Sequence, residues 1–100
     1  MRIYFQRVGG FAGMRLSTTL EDGDLDEEEA RVLKAEIEQA GFFALPPRLQ
    51  SAGGGADRFE YHITIELDQR QHSITVGEAA MPDSLRPLVE HLDQLRRRRR

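Results

Sequence analysis

Apolar residues recur at every second position in four stretches of this chain and at helical spacing in two others, and this pattern constrains the fold more than any other feature. Alternation gives a strand one apolar face, whereas a spacing of three to four residues gives a helix one apolar stripe. The alternating stretches are residues 2–8, 14–20, 58–67 and 72–76, and the helical ones are residues 27–40 and 82–97. The chain therefore reads strand, strand, helix, strand, strand, helix.

This order predicts an α+β fold, a four-stranded antiparallel sheet in β-β-α-β-β-α order with both helices packed on one face. A chain of 100 residues is long enough for a single such domain, which we place at residues 1–95. The five arginines at 96–100 are expected to form a disordered tail. If the strands pair in sequence order, the loop at 21–25 and the loop end at 49–57 emerge at the same edge of the sheet.

Local signals support the first helix and a long loop after it. Asp26 is placed to cap the helix, and Gly41 is placed to end it. The segment 42–57 contains two prolines and three consecutive glycines, which exclude a regular element, and loops this long in small domains are often functional. Three apolar residues at its start are expected to anchor in the core: Phe42, Phe43 and Leu45.

The glycine-rich segments do not have the features of phosphate loops. A phosphate loop leads from a strand into a helix, so that backbone amides and the helix dipole converge on the anion. Residues 9–13, GGFAG, join two strands, and Gly53, Gly54 and Gly55 lead into another strand. We interpret residues 9–13 as a hairpin connection, with Phe11 either covering the core or exposed for contact.

Neither a metal site nor a catalytic site is indicated. The acidic run at 22–26 begins like an EF-hand loop, but Glu27 and Leu33 replace its required glycine and bidentate acid. In the predicted hairpin, His72 lies on the apolar face and His62 on the opposite one, so they do not converge on one ion. No serine, histidine and carboxylate occur at motif spacing. We therefore expect no enzyme activity, no cofactor and no bound metal.

Charge and composition limit the partners and the compartment. The chain has 14 basic and 17 acidic residues, and without the five terminal arginines 9 basic residues face 17 acidic ones, a charge of −8. Such a body repels phosphate backbones, so nucleic-acid binding would depend on the tail alone. There is no cysteine, and no stretch is apolar enough for a signal peptide or a membrane span. We expect a cytoplasmic protein that binds neither nucleic acid nor membranes.

Four segments, in this order, give the chain a family resemblance. They are GGFAG at 9–13, FFALP at 42–46, GADRFEY at 55–61 and VGEAAMPDSLRPL at 76–88. In these segments the chain resembles the emfourin family of small bacterial protein inhibitors of thermolysin-like metalloproteases. The resemblance covers nearly the whole chain apart from the arginine tail. It implies a tight-binding monomer that blocks the active-site cleft of a protease whose own residues hold the zinc.

We expect the two loops to enter that cleft together. Backbone at the three glycines would approach the enzyme closely, Leu25 or Leu49 would fill an apolar pocket, and Asp24 would approach the metal or its cationic neighbours. The predicted protease-binding residues are Asp22, Gly23, Asp24, Leu25, Leu49, Ser51, Gly53, Gly54, Gly55 and Asp57. The alternative is a non-enzymatic regulatory adaptor that binds another protein through the same loops.

Overall fold

The computed structural model describes residues 1–9, 13–50 and 59–98. The described elements are β1 (Arg2–Gly9), β2 (Met14–Glu21), α1 (Glu27–Ala40), β3 (Arg48–Leu49), β4 (Phe59–Leu67), β5 (Arg70–Gly77) and α2 (Arg86–Arg98). Single turns of 3₁₀ helix lie at Asp22–Asp24, Phe42–Ala44 and Glu78–Ala80. The sequence predicted both helices and the four long strands.

The sheet differs from the predicted one in strand number and order. It has five strands in the order β2-β1-β4-β5-β3, and it is mixed because β3 runs parallel to β5. The prediction of four antiparallel strands paired in sequence order was therefore wrong. The chain returns from α1 to the far edge of the sheet, so β4 pairs with β1 and not with β2.

The apolar content of the strands explains why β1 lies inside the sheet. Ile3 and Phe5 of β1 have no exposed surface, and each faces an isoleucine of β4 across the ladder. In β2 the central positions are Ser17, Thr18 and Thr19, which suit a strand with a free edge better than an interior one. Placing β1 between β2 and β4 therefore buries more apolar surface.

The fifth strand has only two residues, too few to show a period in the sequence. Arg48 pairs with Thr75 and Leu49 with Val76, and the Thr75 amide donates to the carbonyl of Pro47 at 2.9 Å. Proline lacks an amide hydrogen and favours extended backbone, so the Pro46-Pro47 pair leads into a short edge strand without losing a ladder bond.

The helix boundaries follow local chemistry. The side chain of Asp26 accepts a hydrogen bond from the Glu29 amide at 2.7 Å, and Gly41 ends α1 in the left-handed conformation with a φ of 61°. Pro87 lies in the first turn of α2, where its missing amide has no intrahelical partner to lose. The helix continues through Arg98, so Arg96–Arg98 are helical and not part of a disordered tail.

One face of the sheet and the apolar stripes of both helices form the core. The sheet contributes Ile3, Phe5, Leu20, Ile63, Ile65, Leu67, Ile74 and Val76, and the helices contribute Leu33, Ile37, Ala40, Leu88, Val89, Leu92 and Leu95. Phe42 is fully buried beside them, while Phe43 and Leu45 are half-buried against the core. The other face of the sheet carries polar side chains, such as the hydrogen-bonded pair Thr64 and Ser73. The helices thus cover one face, as predicted.

Candidate functional site

The strand registers divide the candidate residues between two opposite ends of the sheet. At one end, which we call the Asp22 end, β2 finishes and leads into residues 22–25, and β4 turns into β5. At the other, which we call the glycine end, lie the strand termini Gly9, Met14, Leu49, Phe59 and Gly77. This division decides which of the predicted contacts can act together.

The expectation that residues 22–25 and 49–57 share one edge was wrong. Glu21 pairs with Arg2 and leads directly into residues 22–25, whereas Leu49 pairs with Val76 at the opposite end of the strands. The edges differ as well, since β2 and β3 are the two outermost strands. The error came from the assumed strand order. Of the residues predicted in the second loop, Ser51, Gly53, Gly54, Gly55 and Asp57 lie outside the described residues, as does Phe11.

At the Asp22 end, the polar groups of the predicted site are engaged within the chain. The Asp22 carboxylate accepts hydrogen bonds from the Met1 ammonium at 3.0 and 3.1 Å. Asp24 accepts from the Glu21 amide at 2.8 Å, as part of a reciprocal cap on the 3₁₀ turn. Leu25 is half-buried against the core. A capping carboxylate and a leucine packed against the core are structural roles, and each of these side chains has one in addition to the predicted protease contact.

A charged groove of about 580 Å³ also lies at this end. Its rim is stabilised by ion pairs, including Arg2 with Glu21 at 3.3 Å, and the neighbouring Arg70 pairs with Glu38 at 2.9 Å. The β4–β5 turn beside it is tight, with Asp68 and Gln69 at φ of 52° and 67°, as a two-residue hairpin of the I′ type requires. Of the charged residues that line the groove, Arg2, Glu21, Asp22 and Arg70 form ion pairs, whereas Glu66 and Asp68 form none among the described residues.

The glycine end is organised around backbone that turns sharply. Gly9 and Gly13 have φ of 142° and 61°, values that favour glycine, and they flank the connection of the β1–β2 hairpin. The hairpin confirms the prediction that this glycine segment joins two strands. Gly9 pairs with Phe59 on its other side, and Glu60 pairs with Gly77. Three of the four family-like segments therefore meet at this end.

Arg7 connects the sheet to α2 next to the glycine end. We call Arg7, Phe59, Tyr61 and Asp93 together the base of the glycine end. The Arg7 guanidinium carbon lies 3.9 Å from the centre of the Phe59 ring, and the guanidinium pairs with Asp93 of α2 at 3.4 Å. Asp93 also pairs with Arg96 at 2.8 Å and with Arg97 at 2.9 Å. Both Arg7 and Asp93 are largely shielded from solvent, at 21% and 15% exposure. The first residue of β4 is thus tied to the second helix.

Tyr61, two residues further along β4, completes this base. Its ring stacks on Phe5 with the ring centres 5.9 Å apart. Burial raises the pKa of the Tyr61 hydroxyl above its ordinary value of 10.0; Arg7 opposes the rise, and the carboxylates of Glu78 and Asp93 add to it. The group is therefore a neutral phenol at physiological pH. Beside this base a shallow pocket of about 190 Å³ is lined by Arg7, Gly9, Met14, Leu16 and Phe59.

The histidines occupy separate positions with structural contacts. His72 lies across from Ile65 on the core face, and its Nε2 is 2.7 Å from the Leu45 carbonyl oxygen. His62 faces the other side, with Nδ1 3.1 Å from the Thr75 hydroxyl, which confirms the predicted separation. His91 is 2.7 Å from Glu36 and links the two helices. No three potential metal ligands converge in the part of the chain that the structure describes.

A comparison with models of protein families identifies the family of this chain. A family model for Emfourin matches residues 5–93, from within β1 to within α2. The chain belongs to the Emfourin family. This confirms the resemblance found in the sequence, and membership in Emfourin, an inhibitor family, suggests a protease-inhibitor role. No curated protein and no solved structure matches the chain. No helix within the described ranges is long and apolar enough to cross a bilayer.

Sequence reasoning missed the arginine-centred base of the glycine end in this Emfourin chain. Arg7 occupies a core-facing position of β1, on the same face as Ile3 and Phe5. A charge at such a position costs free energy unless a charged or polar partner lies beside it. That partner, Asp93, is 86 residues away along the chain. The alternation of β1 marked the position of Arg7, but no local spacing connects it to α2.

Proposed function

We propose that this Emfourin-family chain inhibits a thermolysin-like zinc metalloprotease by placing its glycine end in the active-site cleft. The observation that carries the proposal is the convergence of Gly9, Phe59 and Gly77, which come from three segments of the family resemblance, at one end of the sheet. Family membership supports the inhibitory role, and the position of these segments supports the choice of end.

The physical properties of the glycine end suit insertion into a cleft. The connections at 10–13 and 50–58 begin and end there, next to the half-buried Leu49 and the pocket lined by Met14 and Phe59. Glycines at 53–55 would allow close approach of backbone to the enzyme, while Leu49, Ser51 and Asp57 would supply side-chain contacts. The Arg7 and Asp93 pair would keep the base of this end rigid, which lowers the entropic cost of binding.

The Asp22 end is the competing candidate, because Asp22, Gly23, Asp24 and Leu25 were also predicted to contact the protease. The two ends are too far apart along the strands to enter one narrow cleft together, since eight paired residues span about 26 Å. We assign the inhibitory contact to the glycine end and treat the Asp22 end as the control region.

Matched bulky substitutions at exposed positions of the two ends test this assignment. Gln50 is exposed directly after β3, and Gly23 is exposed in the 3₁₀ turn, with open space where a Cβ would lie. A purified thermolysin-like protease is titrated with each variant, and residual activity is measured on a small peptide substrate. Wild type should abolish activity stoichiometrically, Gln50→Trp should weaken inhibition by at least about tenfold, and Gly23→Trp should leave it unchanged.

The outcomes separate the function from the site. If wild type leaves several thermolysin-like proteases fully active, the proposed function is wrong. If wild type inhibits but Gly23→Trp is the variant that weakens inhibition, the site lies at the Asp22 end. Deletion of Gly53–Gly55 provides a second variant at the glycine end. A deletion variant that keeps the wild-type thermal unfolding midpoint and inhibits normally would remove this loop from the mechanism.

A further inference from the structure

One long strand edge in the described sheet has no partner. β2 is the outermost strand on its side, and its eight residues pair only with β1. The opposite edge is formed by β3, which has only two residues. A free strand edge presents unpaired amide and carbonyl groups, and proteins usually block such edges with prolines, bulges, inward-facing charges or covering segments. β2 contains no proline or lysine, and its pairing with β1 is continuous, without a bulge.

The sequence of β2 is complementary to itself in one antiparallel register. Residues that face each other across an antiparallel ladder have their side chains on the same face of the sheet. In two identical strands such partners differ by an even number of positions, so the two-fold axis that relates the strands passes through a residue and not between two residues. With the axis at Thr18, Leu16 faces Leu20 and Ser17 faces Thr19 of the second copy. In the same register Arg15 faces Glu21 of the second copy, twice by symmetry. Opposite charges across a ladder stabilise a strand pair.

The charges on β2 agree with this register. Arg15 is exposed and has no ion-pair partner among the described residues. The Glu21 side chain pairs with Arg2 at 3.3 Å and takes part in the reciprocal cap with Asp24, and it is still 56% exposed to solvent. A shift of the axis by one residue places Arg15 opposite Thr19 or Gly23 and loses both charge pairs. One register is thus favoured over its neighbours by charge alone.

We propose that two copies of this chain pair antiparallel along β2, joining their sheets into one continuous ten-stranded sheet. The pairing covers seven residues of each strand, residues 15–21, and includes the half-buried Leu16. An interface made mainly by one strand edge is small, so we expect a concentration-dependent dimer. This replaces the monomer expected from the sequence. Because the strands are antiparallel, the two glycine ends point in opposite directions and neither is blocked by the partner.

Charge reversal at the two ends of β2 provides the test. Arg15→Glu and Glu21→Arg each turn both attractive pairs into repulsive ones. When the two variants are mixed, every introduced charge faces an opposite charge in the mixed pair. Arg48→Glu, on the exposed edge strand β3, makes the same charge change away from the proposed interface and serves as the control. Circular dichroism and thermal unfolding verify that each variant is folded.

Sedimentation equilibrium over a concentration series up to about 1 mM measures the association. With increasing concentration, the apparent mass of wild type and of Arg48→Glu should rise from the 11.4 kDa of one chain towards twice that value. Each β2 variant alone should dissociate at least about tenfold more readily, and the mixture should recover the wild-type behaviour. A wild type that stays at the mass of one chain throughout overturns the proposal. Equal association of Arg15→Glu and Arg48→Glu also overturns it, and neither result depends on protease inhibition.

Discussion

The two ends of the sheet are built from different kinds of connection. At the Asp22 end the chain turns within two residues between β4 and β5, and a capped 3₁₀ turn follows β2. At the glycine end the connections span residues 10–13 and 50–58, the strand termini are glycines and apolar residues, and Phe59 contacts Arg7, which pairs with Asp93. At the Asp22 end, Asp22, Asp24 and Glu21 take part in local hydrogen bonds or ion pairs, while the glycine end combines apolar surface with the contacts of Arg7 to Phe59 and Asp93.

This difference shows how a domain without an active site can still have a functional surface. Side chains that cap turns or pair with neighbours have already satisfied their hydrogen bonds, and breaking those bonds to bind a partner costs free energy. Surfaces that bind proteins instead present apolar groups on a preorganised support. On this argument we favour the glycine end over the Asp22 end as the binding surface, although the acidic residues at 22–26 are the more noticeable feature of the sequence.

The largest expected effect is a loss of stability of the whole domain, which would affect both ends of the sheet together. Phe42 is fully buried between α1 and β5, with ring contacts to Phe43 and His72. Phe42→Ala should lower the free energy of unfolding by about 3–5 kcal/mol, because a large buried ring leaves a cavity. Chemical denaturation measures the loss. Phe43→Ala is the control, since Phe43 is half-buried beneath Arg70, and it should cost clearly less; equal losses would contradict the assigned burial.

An intermediate effect separates the two ends directly. Asp93→Ala leaves Arg7, Arg96 and Arg97 without their shared carboxylate and should lower the free energy of unfolding by about 2 kcal/mol. At the Asp22 end, Arg2→Gln removes an exposed ion pair and should cost less than about 1 kcal/mol. Denaturant titration of both variants gives the two values. Losses of the same size would contradict the larger stabilising role that we assign to the Asp93 contacts.

The smallest effect is restricted to alkaline pH. Because burial raises the pKa of Tyr61 in the folded state, the folded protein holds this proton more tightly than the unfolded chain. Stability from this group is fully present below the ordinary pKa of 10.0 and is lost as pH rises above it. Tyr61→Phe should therefore reduce the fall in unfolding midpoint above pH ~10, with little change at neutral pH. An unchanged alkaline profile would show that Tyr61 makes no such contribution.

Elements with a clear period were predictable from the sequence, and the pairing between them was not. The alternation in β1, β2, β4 and β5 identified both the strands and their buried faces, and the cap and stop signals set the ends of α1. The two residues of β3 carry no period, so the fifth strand was missed. The prediction of strand order failed because the alternation specifies which face of a strand is buried but not which other strand pairs with it.

The candidate site was predictable only in part, for the same reason. Leu49 was identified as a loop-end contact and lies at the glycine end, but its expected neighbours at 22–25 lie at the other end of the sheet. Arg7 and Asp93 were not identified, since their contact is between residues 86 positions apart. Family membership was accessible from the sequence because it depends on ordered local segments.

The sequence by itself determined the two helices and four long strands, the faces they bury, the hairpin between β1 and β2, and the Emfourin family. These properties depend on residues that are neighbours along the chain, or on the order of short segments. Only the tertiary structure decided that β1 lies between β2 and β4, which end of the sheet gathers the family segments, and which strand edge is left free. Those properties depend on pairings that maximise burial across the whole domain. The residues of one strand do not determine which other strand pairs with it.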